Sequence, residues 1–200
     1  MRVTAVVLAA GKSSRMGRNK LLLEVGGQTI LDRILDAIEA SAVDEAIVVL
    51  GHEPEAVRPI VDDHGASAVL NPEHEKGMTS SFQTGLRGIT ADAAFLVLGD
   101  QLGLDPALLD EMAELMASDP CALITSPVHN GRRGHPVLFR RALFNEILNL
   151  VEDETIKDVV LHHEKDHKSV RGNRWCTLDI NTPEDFERAV KLFEASRASL

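Results

Sequence analysis

The 200-residue chain has only two cysteines, Cys121 and Cys176, far apart and without C-x-x-C spacing. No disulfide framework is expected, and both thiols read as reduced in a cytoplasmic protein. Positive charge is also scarce: 21 Lys and Arg stand against 31 Asp and Glu, a formal net charge of -10. A field of that sign repels nucleic acid, so a general polyanion-binding surface is excluded and only a local basic site remains. No run approaches the ~20 apolar residues of a membrane span, so no membrane partner is expected. The opening MRVTAVVLAAGKSS has one Arg and a short apolar run, but it passes into a charged loop without a small-residue cleavage site. It therefore reads as a strand rather than a signal peptide. Two nucleotide motifs are missing as well. There is no G-x-x-x-x-G-K-[ST], which removes a Walker A loop, and no G-x-G-x-x-G, which leaves a dinucleotide fold poorly supported.

The composition present, 44% hydrophobic and 26% charged, is that of an ordinary globular protein, and the length suits a single domain over residues 1–200. Strand-like and helix-like stretches alternate. VTAVVLA (3–9) is continuously apolar, as in a strand buried on both faces, and EAIVVLG (45–51), ASAVLN, AAFLVLGD (93–100) and CALITSPV repeat the pattern. Between them, TILDRILDAIEA (29–40) places Ile30, Ile34, Leu35 and Ile38 at helical spacing. EPEAVRPIVDDHG predicts a helix interrupted at Pro59 and ended by Gly65. TSSFQTGLRGI (79–89) opens on hydroxyl residues that suit a cap, and DPALLDEMAELMAS (105–118) opens on Asp105 as N-cap with Pro106 at N1. TPEDFERAVKLFEASR (182–197) predicts a final helix capped by Thr182, with Pro183 at N1 and Asp185 at N3. The alternation predicts an α/β fold, a Rossmann-like three-layer α/β/α arrangement around a mostly parallel sheet. Ligands of such sheets bind beyond the carboxyl ends of the strands. Three features land there: the loop after the first strand, GMTSS after the third, and GD after the fourth.

The loop AAGKSSRMGRNK gathers Lys12, Arg15, Arg18 and Lys20 into nine positions of an acidic chain. Gly11 and Gly17 permit close backbone approach, successive N–H groups can form an anion-binding concavity, and Ser13 and Ser14 add hydroxyl donors. Arg15 can grip a phosphate through two parallel hydrogen bonds, and Lys20 supplies a compact charge. Together these groups suit a triphosphate.

At this point the sequence resembles a known family. LAAGKSSRMGRNKLL is similar to the opening signature of the nucleotidyltransferases that activate sugar phosphates, isoprenoid precursors and molybdopterin. The closer likeness is to the molybdenum cofactor cytidylyltransferases. It is carried by GMTSS (77–81), LVLGD (96–100), GHPVLF (134–139) and LDINTPEDF (178–186), in order along most of the chain.

The resemblance implies a nucleotidyltransferase that moves CMP from CTP, or a nucleotide unit from another NTP, to the phosphate of a molybdopterin-type acceptor. Mg²⁺ is the implied cofactor, and a molybdoenzyme or cofactor-insertion protein is an implied partner. Arg15, Lys20 and Asp100 carry catalysis in this reading. Leu8, Ala9, Ala10, Gly11, Lys12, Ser13, Ser14, Arg15 and Lys20 hold the nucleotide, together with the hydroxyls of Thr79, Ser80 and Ser81. Asp100 and Asn181 are the implied metal ligands; Asp179 would share a face with Asn181 if 176–181 is a strand. Arg133, Gly134 and His135 would receive the acceptor. Ala10 in place of glycine favours cytosine over guanine.

Three positions depart from the family pattern: Leu102 replaces a proline, Asn181 replaces an acid, and VEDETIKDVV (151–160) lacks a GD-x-GAR segment, for which Lys157 is a partial substitute. A guanylyltransferase, a sugar-phosphate nucleotidyltransferase and a non-catalytic nucleotide-binding chaperone remain as alternatives. His163 and His167 have the i, i+4 spacing of metal ligands if helical, but more often such residues sit on a solvated surface. The lone Trp175 reads as a packing residue.

Overall fold

A computed structural model describes residues 1–197. The elements run β1 (Val3–Ala9), β2 (Glu24–Val25), β3 (Gln28–Thr29), α1 (Ile30–Glu39), β4 (Glu45–Leu50), α2 (Pro54–Asp63), β5 (Ser67–Leu70), α3 (Met78–Leu86) and β6 (Ala93–Leu98). They continue with α4 (Pro106–Ser118), β7 (Ile124–His129), β8 (Arg132–Arg133), β9 (Val137–Arg140), α5 (Phe144–Leu148), α6 (Ile156–His162), β10 (His167–Arg171) and α7 (Pro183–Arg197).

The main sheet has the order β10-β7-β9-β6-β1-β4-β5, with β8 paired to β7. β1 is the inner strand, parallel to both β4 and β6, and Val6, Val7, Ala5 and Val3 along it are buried. Only β9 and the short β8 run against the rest. The chain leaves β1 towards β4 and β5 and then returns to β6 on its other side. The tips of β1, β4 and β6 therefore meet at a topological switch point, where the crossovers diverge and leave a crevice.

Helices cover both faces. On one, Ile30, Ile34, Val57 and Leu109 of α1, α2 and α4 pack against Ala5, Val7 and Val48, and Phe186, Val190 and Phe193 of α7 join them. On the other, Phe82 and Leu86 of α3, Ile147 of α5 and Val159 of α6 pack on Val6, Leu96, Ile124 and Phe139. This is the three-layer α/β/α arrangement expected from the alternation. Trp175 is a packing residue, edge-on to Phe193. Cys176 is buried, Cys121 is exposed, and both are free thiols. No helix of the described residues is long and apolar enough to cross a membrane.

Local signals account for most boundaries. The Thr29 side chain accepts from Asp32 N and the Asp32 carboxylate accepts from Thr29 N, both at 3.1 Å, a capping box that starts α1. Asp105 caps α4 by accepting from Ala107 N at 3.0 Å. Three expectations fail. α2 is not interrupted, because Pro59 lies inside it and costs one backbone bond, while Val57 and Val61 on either side are fully buried and hold the helix to the sheet. α3 is capped by Gly77 (φ 93°), not by Thr79 or Ser80, which fall within its first turn. Residues 176–181 form no strand: a 3₁₀ turn spans Arg174–Thr177 and an extended segment follows.

Candidate active site

The first turn after β1 is built around two buried anchors. Ser13 (φ 49°) and Gly17 (φ 67°), both left-handed, flank a 3₁₀ turn, Ser14–Met16, whose Met16 is buried. A second 3₁₀ turn, Lys20–Leu22, starts where Asn19 Oδ1 accepts from Leu21 N at 3.1 Å, and Leu21 inserts into the core. Lys20 is thereby turned towards the strand tips, with its N–H donated to Ser13 Oγ at 3.2 Å.

Asp100 follows β6. Gly99 N donates to Leu8 O at 3.1 Å, and a Cβ on Gly99 would lie 2.5 Å from that oxygen. Only glycine therefore lets the two strand tips close here. The Lys20 ammonium donates to Asp100 Oδ2 and, at 3.2 Å, to Ile180 O. Arg15 Nη2 donates to Asn181 Oδ1 at 3.2 Å. Lys20, Asp100 and Asn181, remote in sequence, thus line one cavity of about 320 Å³, with Arg15 and Ile180 bonded to them from outside the lining.

Ala9, Ala10, Gly11, Ser13, Lys20 and Leu8 line this cavity, as do Asp100, Asp179 and Asn181. Other expected residues lie elsewhere. Lys12 is ion-paired with Glu75 at the surface, and Ser14 and Arg15 lie outside the lining. Of the three α3 hydroxyls only Ser81 lines the cavity; Thr79 lines a second one, and Ser80 faces a surface groove.

Buried Asn71, at the end of β5, explains the split. Its Nδ2 donates to Ser80 Oγ at 3.1 Å and to Ser81 Oγ at 3.2 Å, while its Oδ1 accepts from Glu73 N. Asn71 and His74, the latter also lining the cavity, were missed from the sequence. A polar residue at the end of an apolar run, as Asp100 stands at the end of AAFLVLGD, was a signal also available for Asn71. The 3₁₀ turn that carries His74 left no such mark.

A larger cavity of about 680 Å³ lies alongside, and Met78 lines both. Arg133, at the end of β8, and Gly134 and His135, which follow it, line this second cavity. His135 N donates to Cys176 O at 2.8 Å, and a Cβ on Gly134 would lie 2.0 Å from that oxygen. Gln101 Nε2 donates to His135 O at 2.6 Å and Leu102 is buried in the core, so the loop after Asp100 is fastened to the wall of the second cavity. Burial pushes His135 below the ordinary histidine value, against the opposite pull of Asp179 and Asp100. Arg133 is held in a two-pronged ion pair by Glu164, at 2.6 and 2.8 Å. Lys157 reaches the same cavity.

The histidine spacing does not make a metal pair. His163 follows α6 and bonds Glu146, whereas His167 is in β10 and bonds Ser126. The oxygen set at Asp100 and Asn181 does suit a hard divalent cation, which takes carboxylate and amide oxygens. Asp179 and Asn181 line the cavity together with Asp100 from the extended segment, without the strand expected there. That these oxygens attract cations is visible in the Lys20 ammonium lying on Asp100 and the Arg15 guanidinium lying on Asn181.

Residues 5–167 match the family model described as the MobA-like NTP transferase domain. The chain is similar to the molybdenum cofactor cytidylyltransferase of Escherichia coli K12, 28% identical over 92% of this chain and 93% of that protein. It is 25% identical to a probable molybdenum cofactor guanylyltransferase of Natranaerobius thermophilus over 94% and 95% of the two chains. Among solved structures, that of Mycobacterium tuberculosis Rv0371c in complex with manganese superimposes with a TM-score of 0.78 at 28% identity, covering 96% of this chain and 99% of that one.

Proposed function

The chain belongs to the MobA-like NTP transferase domain family and is a nucleotidyltransferase; from that premise we propose that it transfers CMP from CTP to the terminal phosphate of molybdopterin, releasing pyrophosphate. The observation that carries this reading is the pair of adjoining cavities sharing Met78, with Lys20 and Asp100 in the first and a roomier chamber beyond. A single domain carries both chambers in this reading. The cytidylyltransferase relative supports CTP and the pterin acceptor. So does Ala10, a buried side chain in the first cavity where the guanine-using branch has glycine.

Ala9, Ala10 and Ser81 would hold the nucleoside. Lys20 would pass from Asp100 to a phosphate oxygen, and Arg15 would leave Asn181 for the β- and γ-phosphates. Asp100 and Asn181 would hold Mg²⁺, with Asp179 beside them, and the ion would supply positive charge to offset that of the phosphates. The acceptor reaches the second cavity past Arg133, Gly134 and His135. One oxygen of its phosphate monoester attacks the α-phosphorus in line as the bond to pyrophosphate breaks. The monoester is largely ionised near neutral pH, so no side chain has to remove a proton. Positioning and charge stabilisation by Lys20 and Arg15 supply the rate.

The test is pyrophosphate release with CTP, GTP, ATP or UTP, each with and without molybdopterin and with Mg²⁺ or a chelator. The reading requires CTP and molybdopterin together, with a metal-dependent signal. A preference for GTP would move the protein to the guanylyl branch, which its guanylyltransferase relative makes the competing outcome. Turnover with a sugar phosphate and none with molybdopterin would refute the acceptor.

A further inference from the structure

The floor of the second cavity holds a polar pair that the transfer reaction above does not use. β7 and β10 run parallel, with His167 opposite Ile124 and Ser169 opposite Ser126. Alternation puts Ile124, Ser126 and His167 on the same face of the sheet, the face covered by α3, α5 and α6. Ser126 and His167 are both buried, and Ser126 Oγ lies 2.7 Å from His167 Nε2. His167 is 8% exposed and its Nδ1 is buried without a hydrogen-bond partner. Both residues line the 680 Å³ cavity, whose other walls include Leu96, Val137, Phe139, Ile156 and Val160.

A buried ring nitrogen left unpaired is destabilising, and apolar residues of the same shape would avoid that cost. Ser126 occupies Nε2 and so orients the ring, and Nδ1 is left as the ring's one polar atom without a partner, in a residue that lines the cavity. Burial, joined by the nearby Arg133 cation, pushes His167 down to about 4, so at neutral pH the imidazole offers a hydrogen bond without a charge. The charges are at other positions of the lining, on Arg133, Lys76 and Lys157, the first two of which are already paired with Glu164 and Glu73. Such a chamber fits a flat ring with apolar faces, a hydrogen-bonding edge and an anionic tail. A sugar fits it poorly, because its many hydroxyls would lie unpaired against Phe139, Val137 and Ile156.

Resting on the reading that the acceptor occupies this cavity, we propose that the Ser126–His167 pair determines acceptor specificity, with Ser126 positioning the imidazole and His167 Nδ1 exchanging one uncharged hydrogen bond with the edge of a fused nitrogen heterocycle. The pair confers selectivity for heteroaromatic over sugar-type acceptors, because a site built to hydrogen-bond its ligand rejects analogues that leave the buried group unpaired.

The experiment is a fluorescence titration of the full chain with 6-hydroxymethylpterin, beside a titration with N-acetylglucosamine 1-phosphate and a calorimetric titration with CTP. The variants are His167→Phe, His167→Gln and Ser126→Ala. The wild type is expected to bind the pterin at least tenfold more tightly than the sugar phosphate. His167→Phe loses about tenfold in pterin affinity, His167→Gln retains most of it, and Ser126→Ala falls between. CTP affinity stays within twofold throughout, which also reports that each variant is folded. Should His167→Phe fail to fold, His167→Gln and Ser126→Ala carry the test against CTP affinity. Pterin affinity unchanged in both His167→Phe and Ser126→Ala, or a wild type with no preference for the pterin, overturns the proposal. Pterin binding that depends on His167 in a protein that transfers no CMP to molybdopterin would refute the proposed function and leave this inference standing.

Discussion

Lys20→Met replaces the ammonium that faces Asp100 with an apolar chain of similar length. The two side chains are 20% and 16% exposed, so the pair is largely but not fully removed from water. Breaking a buried pair costs about 3–5 kcal/mol because it strands the remaining charge, and the residual solvent access here reduces that to roughly 1–2 kcal/mol. For a chain of this length each kcal/mol moves the melting temperature by about 2–4 °C, so Lys20→Met is expected to melt roughly 2–8 °C below the wild type. Catalysis should suffer far more. Loss of one preorganised charge aimed at the phosphates is worth about 10²–10³ in kcat. The double variant Lys20→Met/Asp100→Asn separates the two effects, since it removes the stranded carboxylate and should recover most of the melting temperature with no recovery of pyrophosphate release. Differential scanning fluorimetry and a pyrophosphate assay read both quantities. Turnover within threefold of wild type in Lys20→Met, with the melting temperature lowered as expected, would reduce Lys20 to a counterion for Asp100 and refute its catalytic role.

Asn71→Ala should leave the Ser80 and Ser81 hydroxyls and the Glu73 N–H short of partners, at about 1–3 kcal/mol; a fall in melting temperature together with weaker CTP binding in calorimetry is the expected result. Gly99→Ala should push β6 from β1 at the cavity rim, because its Cβ would meet Leu8 O at 2.5 Å; both stability and turnover are expected to drop, and unchanged turnover would show that the rim tolerates the shift. His64 bonds Glu39 at 2.7 Å and Asp32 at 3.3 Å. Burial lowers its pKa, but these carboxylates outweigh it, so the value is raised above the ordinary 6.5. Its contribution, roughly 0.5–1 kcal/mol after screening, is therefore complete below about pH 6.5 and lost as pH rises through the folded value. Urea titrations of the wild type and His64→Gln at pH 6 and pH 9 should differ more at pH 6; a larger difference at pH 9 would reverse the sign and sink the argument.

What the sequence revealed follows from how local each signal is. β1 was legible because a seven-residue run with one polar residue, Thr4, needs burial on both faces, and α4 because Asp105 and Pro106 start it. Pro59 misled because one lost backbone bond weighs less than two fully buried valines in the same helix. The insertion of β9 between β6 and β7, against their direction, depends on pairings 40 or more residues apart in one case, and no local pattern encodes it. At the site, Lys20 was legible as one of four cations crowded into a glycine-bearing loop, and Asp100 as a carboxylate at the end of an apolar strand. Which of Thr79, Ser80 and Ser81 faces the first cavity was not, because the answer depends on where Gly77 starts α3 and on the buried amide of Asn71. The Ser126–His167 pair joins two strands 41 residues apart, and its histidine was read in a helical frame that the chain does not adopt.

Among the described residues Met78 is the one that lines both cavities, and it is 48% exposed. An unbranched side chain with three rotatable bonds can swing without disturbing the backbone that carries it. In the proposed reaction this side chain would be met by both substrates, so the rotamer that suits the first to bind would be the one that the second meets. Kinetic synergy between them would then be tunable by a single codon, with a β-branched residue at position 78 stiffening the gate and an alanine leaving the chambers merged.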